Sequence, residues 1–111
     1  MGVPPRRLVA ISTKNGEMRN LLDPVPGTVG DSAPVISPRG DRMAFCRCES
    51  DYSCDLFVVP MRGLQVTGAA MRLSDSPSPE LRAEFLKDGS LVYPLGPLDS
   101  RRLWRTYFDV F

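Results

Sequence analysis

The chain has 111 residues, 14 Lys and Arg against 13 Asp and Glu, no histidine, and 9 Gly with 11 Pro. That length sets one small domain as the upper bound, with a thin core, because such a chain buries only roughly 60–70% of its unfolded surface. Without His there is no Ser-His-Asp triad, no Cys-His pair and no His-ligated zinc or haem, and a net charge of +1 lacks the basic excess that binds a phosphate backbone, so neither a cofactor nor nucleic acid is expected.

Arg6 and Arg7 are followed by about four apolar residues, too few for an export signal, and no run approaches the ~18 apolar residues of a membrane span. Leu8-Val9-Ala10-Ile11 predicts a short strand, and 17–22 pairs back against it through a tight hairpin turn whose positive-φ residues are Asn15 and Gly16. Pro24, Pro26, Gly27 and Gly30 make 23–31 a loop. The clearest hairpin runs from 33–36 through Ser37-Pro38-Arg39-Gly40 into 41–46. There Pro38 presets φ at the first central turn position, Gly40 closes the turn, and Pro34 belongs at the strand start or on its unpaired side.

A polar stretch, 47–55, separates that strand from Leu56-Phe57-Val58-Val59, the most apolar run of the chain. Arg62-Gly63 ends the run, 65–70 is loose, and 71–73 continues as a shorter strand before the connector 74–79. Strand 81–85, turn Leu86-Lys87-Asp88-Gly89, strand 90–93 and a loop over 94–100 follow, and the aromatic and β-branched content of 103–108 favours a last strand. Nowhere does 3.6-residue periodicity persist for three turns free of Pro or Gly, so the reading is all-β.

These segments repeat. Gly40 and Gly89 lie 49 positions apart, Leu8-Val9-Ala10-Ile11 recurs at spacings of 48 and 47 as 56–59 and 103–106, and 19–23 recurs as 70–75 with Asp23 and Asp75 separated by 52. A period of roughly 40–50 residues with four short strands per unit is that of a β-propeller blade.

Ser37-Pro38-Arg39-Gly40-Asp41-Arg42-Met43-Ala44-Phe45 resembles the Ser-Pro-Asp-Gly-Lys-x-Ile-Ala-Phe signature of WD40-like, TolB-type propeller repeats. Asp55-Leu56-Phe57-Val58-Val59 with Gly63, followed by Arg72-Leu73-Ser74, resembles that family's Asp-Leu-Tyr-Val-Val-x-x-x-Gly and Arg-Leu-Thr segments. Arg39 stands where the family has the turn aspartate. Asp88 restores it in the next unit, where Leu86 and Lys87 replace serine and proline.

The resemblance implies consecutive antiparallel four-stranded blades in an incomplete ring. The expected parts are a partial blade of two last strands with a linker over 1–31, a complete blade over 32–75 and a degraded or partial third over 76–111. Its blade-motif residues are structural: Ser37, Pro38, Gly40, Asp41, Phe45, Asp55, Gly63, Asp88 and Gly89. A closed ring needs at least four blades, and about two and a third are expected here, so the chain reads as a piece of a longer propeller, as one that copies complete together, or as two or three sheets stacked in an open stub.

No catalytic or metal residue is assigned. Cys46-Arg47-Cys48 is too closely spaced for a zinc knuckle and lacks a fourth ligand. Cys48 and Cys54 flank a polar tip and could form a disulfide in an oxidising compartment, while free thiols are the commoner outcome. Asp23, Asp31, Asp41, Asp55, Asp75 and Asp88 read as turn and strand-end caps rather than a calcium loop. Trp104, Tyr107 and Phe108 form either an exposed aromatic patch or packing between sheets, Arg101, Arg102 and Arg105 a solvated basic edge, and no Gly-x-Ser-x-Gly elbow is present.

The function expected is a non-catalytic protein–protein interaction module that binds a protein, further propeller blades or itself. The resemblance allows a periplasmic or cytoplasmic setting; periplasmic members of that family bind lipoproteins, but no partner-binding motif is visible here. The alternative is the propeller of a prolyl-oligopeptidase-type serine peptidase without its catalytic domain.

Overall fold

A computed structural model describes residues 4–74, 78–79, 81–95 and 101–108, all in strands, turns and loops with no helix among them. β1 (Leu8–Ile11) and β2 (Met18–Leu22) form a hairpin. β3 (Gly30–Ile36), β4 (Arg42–Ser50), β5 (Ser53–Arg62), β6 (Gln65–Val66) and β7 (Met71–Arg72) form a central sheet, which is curled; β8 (Glu84–Phe85), β9 (Leu91–Leu95) and β10 (Arg102–Thr106) form a third sheet. Every pairing between these strands is antiparallel.

Alternation along β4 and β5 explains how the three sheets assemble. Met43 and Phe45 lie on one face with Val59 and Met61, while Ala44, Cys46 and Cys48 lie on the other with Cys54 and Leu56, and all nine are buried. The first face packs on Leu8, Leu21 and Leu22 of the β1–β2 hairpin; the second packs on Leu91 and Tyr93 of the third sheet and on Leu81 and Ala83 of the segment leading into it. A strand buried on both faces needs near-continuous apolar sequence, which 56–59 and 43–46 supply. The central sheet is thus the middle layer of three.

The turns at Gly40 and Gly89 bring sequentially neighbouring strands together in the same way. Gly40 donates its N–H to the Ser37 carbonyl and Gly89 donates to the Leu86 carbonyl, each bond 2.9 Å long, with φ of +72° and +87°. Those left-handed values are nearly free for glycine and strained for other residues.

Several boundaries differ from the sequence expectations. In the first hairpin only Gly16 has positive φ; Asn15 instead accepts the Glu17 N–H on Oδ1, and the loop closes from Ser12 to Glu17. β3 begins at Gly30 inside the expected loop, and Pro34 sits within the strand, where Ala33 (φ +53°) and Pro34 form a bulge between paired Ser32 and Val35. A bulge leaves a residue unpaired, so the missing proline N–H costs no ladder bond.

The polar stretch 47–55 is a continuation of the β4–β5 ladder, with only Asp51 and Tyr52 at its tip. Within it Arg47 pairs with Asp31 of β3 and Asp55 with Arg72 of β7, while Glu49, Ser50 and Asp51 are exposed. The loose segment after Gly63 is the other outer strand of the sheet in two pieces: β6 pairs with Met61 and Arg62, β7 with Phe57 and Val58, and 67–70 bows out between them. Gly63 and Leu64 both take positive φ in the tight turn that starts it, a conformation no turn residue at Leu64 announced. In the third unit 81–83 are buried but not in a strand, and β9 runs on through Pro94 to Leu95. Asp75, Ser76 and the loop residues 96–100 lie outside the described residues.

Candidate functional site

The repeated turns are self-contained polar knots. In the first, the Ser37 hydroxyl donates to Asp41 Oδ1 (2.6 Å) while Ser37 Oγ accepts the N–H groups of Asp41 and Arg42. The hydroxyl bond, helped by Arg42, holds the Asp41 carboxyl below the usual aspartate range. In the second, Asp88 accepts the Ser90 hydroxyl and N–H, and Arg105 reaches it at 2.6 Å from β10. Its carboxyl is lowered as well, chiefly by Ser90. Pro38 is exposed on the first turn, and Gly63 lies at the β5–β6 turn. These residues shape turns.

At the other end of the central sheet a row of alternating charge crosses β3, β4, β5 and β7. Asp31 on β3 faces Arg47 on β4, Arg47 stands opposite Asp55 on β5, and Asp55 meets Arg72 of β7 at 3.3 Å. The Ser74 hydroxyl donates to Asp55 Oδ1 and accepts the Leu56 N–H. Asp31 is therefore a buried ion-pair member inside a strand, and Asp55 lies within β5, rather than either serving as a turn cap. The sequence signal for this was the run of acid and base at 31, 47, 55 and 72, unreadable until the register aligned it.

Beside that row Cys48 and Cys54, directly opposite in the ladder, are joined as a disulfide, while Cys46 is a buried free thiol that donates to the Leu81 carbonyl. Among the described residues no cluster of three or more Cys, Asp or Glu is arranged to hold a metal ion. No helix among them is long and apolar enough to cross a membrane.

The three C-terminal aromatics do not share a patch. Phe108 packs on Phe85 (6.4 Å between ring centres) beneath the Arg42 guanidinium, whereas Tyr107 is exposed under Arg105. Trp104 faces Tyr93 across β10 and β9 and is 54% exposed. With Tyr93, Leu95, Arg72, Leu73 and Ser74 it lines an open groove of about 580 Å³ between the third sheet and the fourth-strand edge of the central one. The Tyr93 hydroxyl is tied to Thr106 Oγ1 at 2.6 Å, which fixes one wall.

Large apolar side chains also stand on the outward faces of the two flanking sheets. On the hairpin these are Ile11 (61% exposed) and Met18 (67%), directly opposite one another; on the third sheet it is Leu103 (76%), opposite Pro94. Comparison with known proteins returned nothing: no protein-family profile, curated protein or solved structure matches the chain.

Proposed function

We propose that the chain is a non-catalytic interaction module, a segment of TolB-like β-propeller repeats whose work is to associate face to face with further units of the same kind. The observation that carries this reading is the middle position of the central sheet: an antiparallel four-place meander covered on both faces by neighbouring antiparallel units. Propeller blades pack this way, and the repeated Pro/Gly turns place each unit's strands alike. The two flanking sheets carry the same kind of apolar face outward, with Ile11 and Met18 at one end and Leu103 at the other. An apolar face at each end, formed by different residues, favours head-to-tail contact between copies, which closes into a ring where the rotation permits. A second copy is the occupant to which the reading commits, because each chain brings both halves of such a contact.

Light scattering on the purified chain tests this. A discrete species several times the 12.3 kDa monomer is expected, and Ile11→Glu combined with Leu103→Glu, both at exposed sites, should return it to a folded monomer. A wild-type chain that stays monomeric and folded at every concentration would sink the reading.

A further inference from the structure

The three cysteines form one row on the second face of the central sheet. Cys46 and Cys48 lie two residues apart on β4, Cys54 stands opposite Cys48 on β5, and all three are buried in the core cluster that also holds Leu81, Ala83, Leu91 and Tyr93. Two of them also hold the chain that leads into the third sheet. Cys54 donates its N–H to the Ser78 carbonyl at 2.7 Å and accepts the Ser78 N–H at 3.0 Å, so Ser78 pairs with β5 beside the disulfide. Three residues on, the Leu81 carbonyl accepts the Cys46 thiol at 3.0 Å.

This placement couples the disulfide to the docking of that segment. Thiol–disulfide exchange requires a thiolate to reach one of the two sulfurs, and Cys48 and Cys54 are both buried while Leu81 and Ala83 pack with them. The coupling also runs in the other direction. Two thiols need more room than a bonded pair of sulfurs, and a close-packed face makes that room only by displacing its cover. Reduction further removes the link between β4 and β5 next to the point where Ser78 is bonded. Docking that shields the bond is therefore weakened when the bond is broken, as reciprocal coupling requires.

We infer that the segment carrying Ser78, Leu81 and Ala83 is a redox latch: docked, it shields the Cys48–Cys54 bond; open, it admits a dithiol reductant; and it stays loosened once the bond is reduced. In the open state a reductant thiolate attacks one sulfur, the S–S bond breaks, and the other cysteine leaves as a thiolate that takes up a proton. The reductant's second thiolate then displaces the first cysteine from the mixed disulfide, and that cysteine is protonated in turn. Two electrons pass to the protein, and the reductant departs as a disulfide. The latch goes beyond association of copies, because it acts on a face already covered within one chain, whereas association uses the outward faces.

Reduction of the native chain by dithiothreitol, counted by alkylation and mass spectrometry, tests the latch together with hydrogen exchange at Ser78. The folded wild type should be reduced at least tenfold more slowly than the chain unfolded in urea. In the reduced chain, exchange at Ser78 should rise about tenfold while the β4–β5 ladder around Ala44 and Val58 holds. Leu81→Ala leaves a cavity on the latch face and should speed reduction tenfold or more, whereas Leu8→Ala, a like cut on the opposite face, should not. Cys46→Ala removes only the sulfur bonded to Leu81 and should speed reduction a few-fold, which carries the comparison if Leu81→Ala does not fold. Equal acceleration on the two faces would mean that the bond is reached through global unfolding, and it overturns the latch. So does reduction of the folded chain as fast as the unfolded one, or exchange at Ser78 that reduction leaves unchanged.

Discussion

Arg47 grips the buried carboxylate of Asp31 through two bonds, Nε to Oδ1 at 2.9 Å and Nη2 to Oδ2 at 3.2 Å, while its guanidinium lies 5.2 Å from the Phe45 ring centre and 4.9 Å from that of Phe57. The pair joins β3 to β4 and the arginine closes over the stacked Phe45–Phe57 rings, so polar and apolar packing share one residue. Removing one partner leaves a charge without its complement in a mostly buried place, which costs about 3–5 kcal/mol. Asp31→Ala should therefore lose a large part of the stability of so small a domain, measured by urea denaturation. A change below about 0.5 kcal/mol, the range of ordinary surface substitutions, would refute that weight.

Thiol counting separates the three cysteines. The folded chain should show no fast-reacting thiol, since Cys46 is buried; denaturation without reductant should release one, and with reductant three. Cys48→Ser opens a loop with a sequence separation of 6, so the loss in unfolding free energy is modest, about 2 kcal/mol on a chain-entropy account. Three thiols on denaturation without reductant would refute the disulfide.

Gly30 has φ +106°, and a methyl group there would run into the backbone N and O of Arg6, which bridges to it. Gly40, with φ +72°, has open space around it. Gly40→Ala should cost on the order of 1 kcal/mol of backbone strain. Gly30→Ala should cost more and selectively raise hydrogen exchange at Arg6 and Asp31, whose N–H groups bond across that junction. Equal effects from the two would remove the reason given for the glycine at 30.

Acid sensitivity has a definite sign at Asp41. Its folded carboxyl is held below the unfolded value by the Ser37 hydroxyl, so the stabilisation is fully present above the unfolded value, about 3.9, and is lost as pH falls through the folded one. Asp41→Asn should flatten the acid limb of a stability-versus-pH curve below about pH 4 and change little of its shape at pH 7. An unchanged acid limb would show that the bond does not couple to folding. The half-exposed side chain keeps the effect small.

Local chemistry made the two Pro/Gly turns readable, because Gly40 and Gly89 stand where backbone geometry demands φ above zero, and it placed the apolar strands around 43–46 and 56–59. Position Leu64 was not readable: a leucine in left-handed conformation has no local sign, and the two-residue turn holds because β5 and β6 pair on either side of it. The charge row was equally hidden, since Asp31, Arg47, Asp55 and Arg72 come from four strands and meet only through their register.

By itself the sequence determined that the chain is all-β and where the turns at Gly40 and Gly89 fall, because turn chemistry and alternation act over a few residues. Tertiary structure decided what lies on each side of the strands. It turned the polar stretch 47–55 into ladder, where cross-strand partners replace water, and it sent Phe108 inward while leaving Trp104 on a groove. It also packed the central sheet between two others, since which face of a strand is covered depends on how whole sheets stack and not on any one segment.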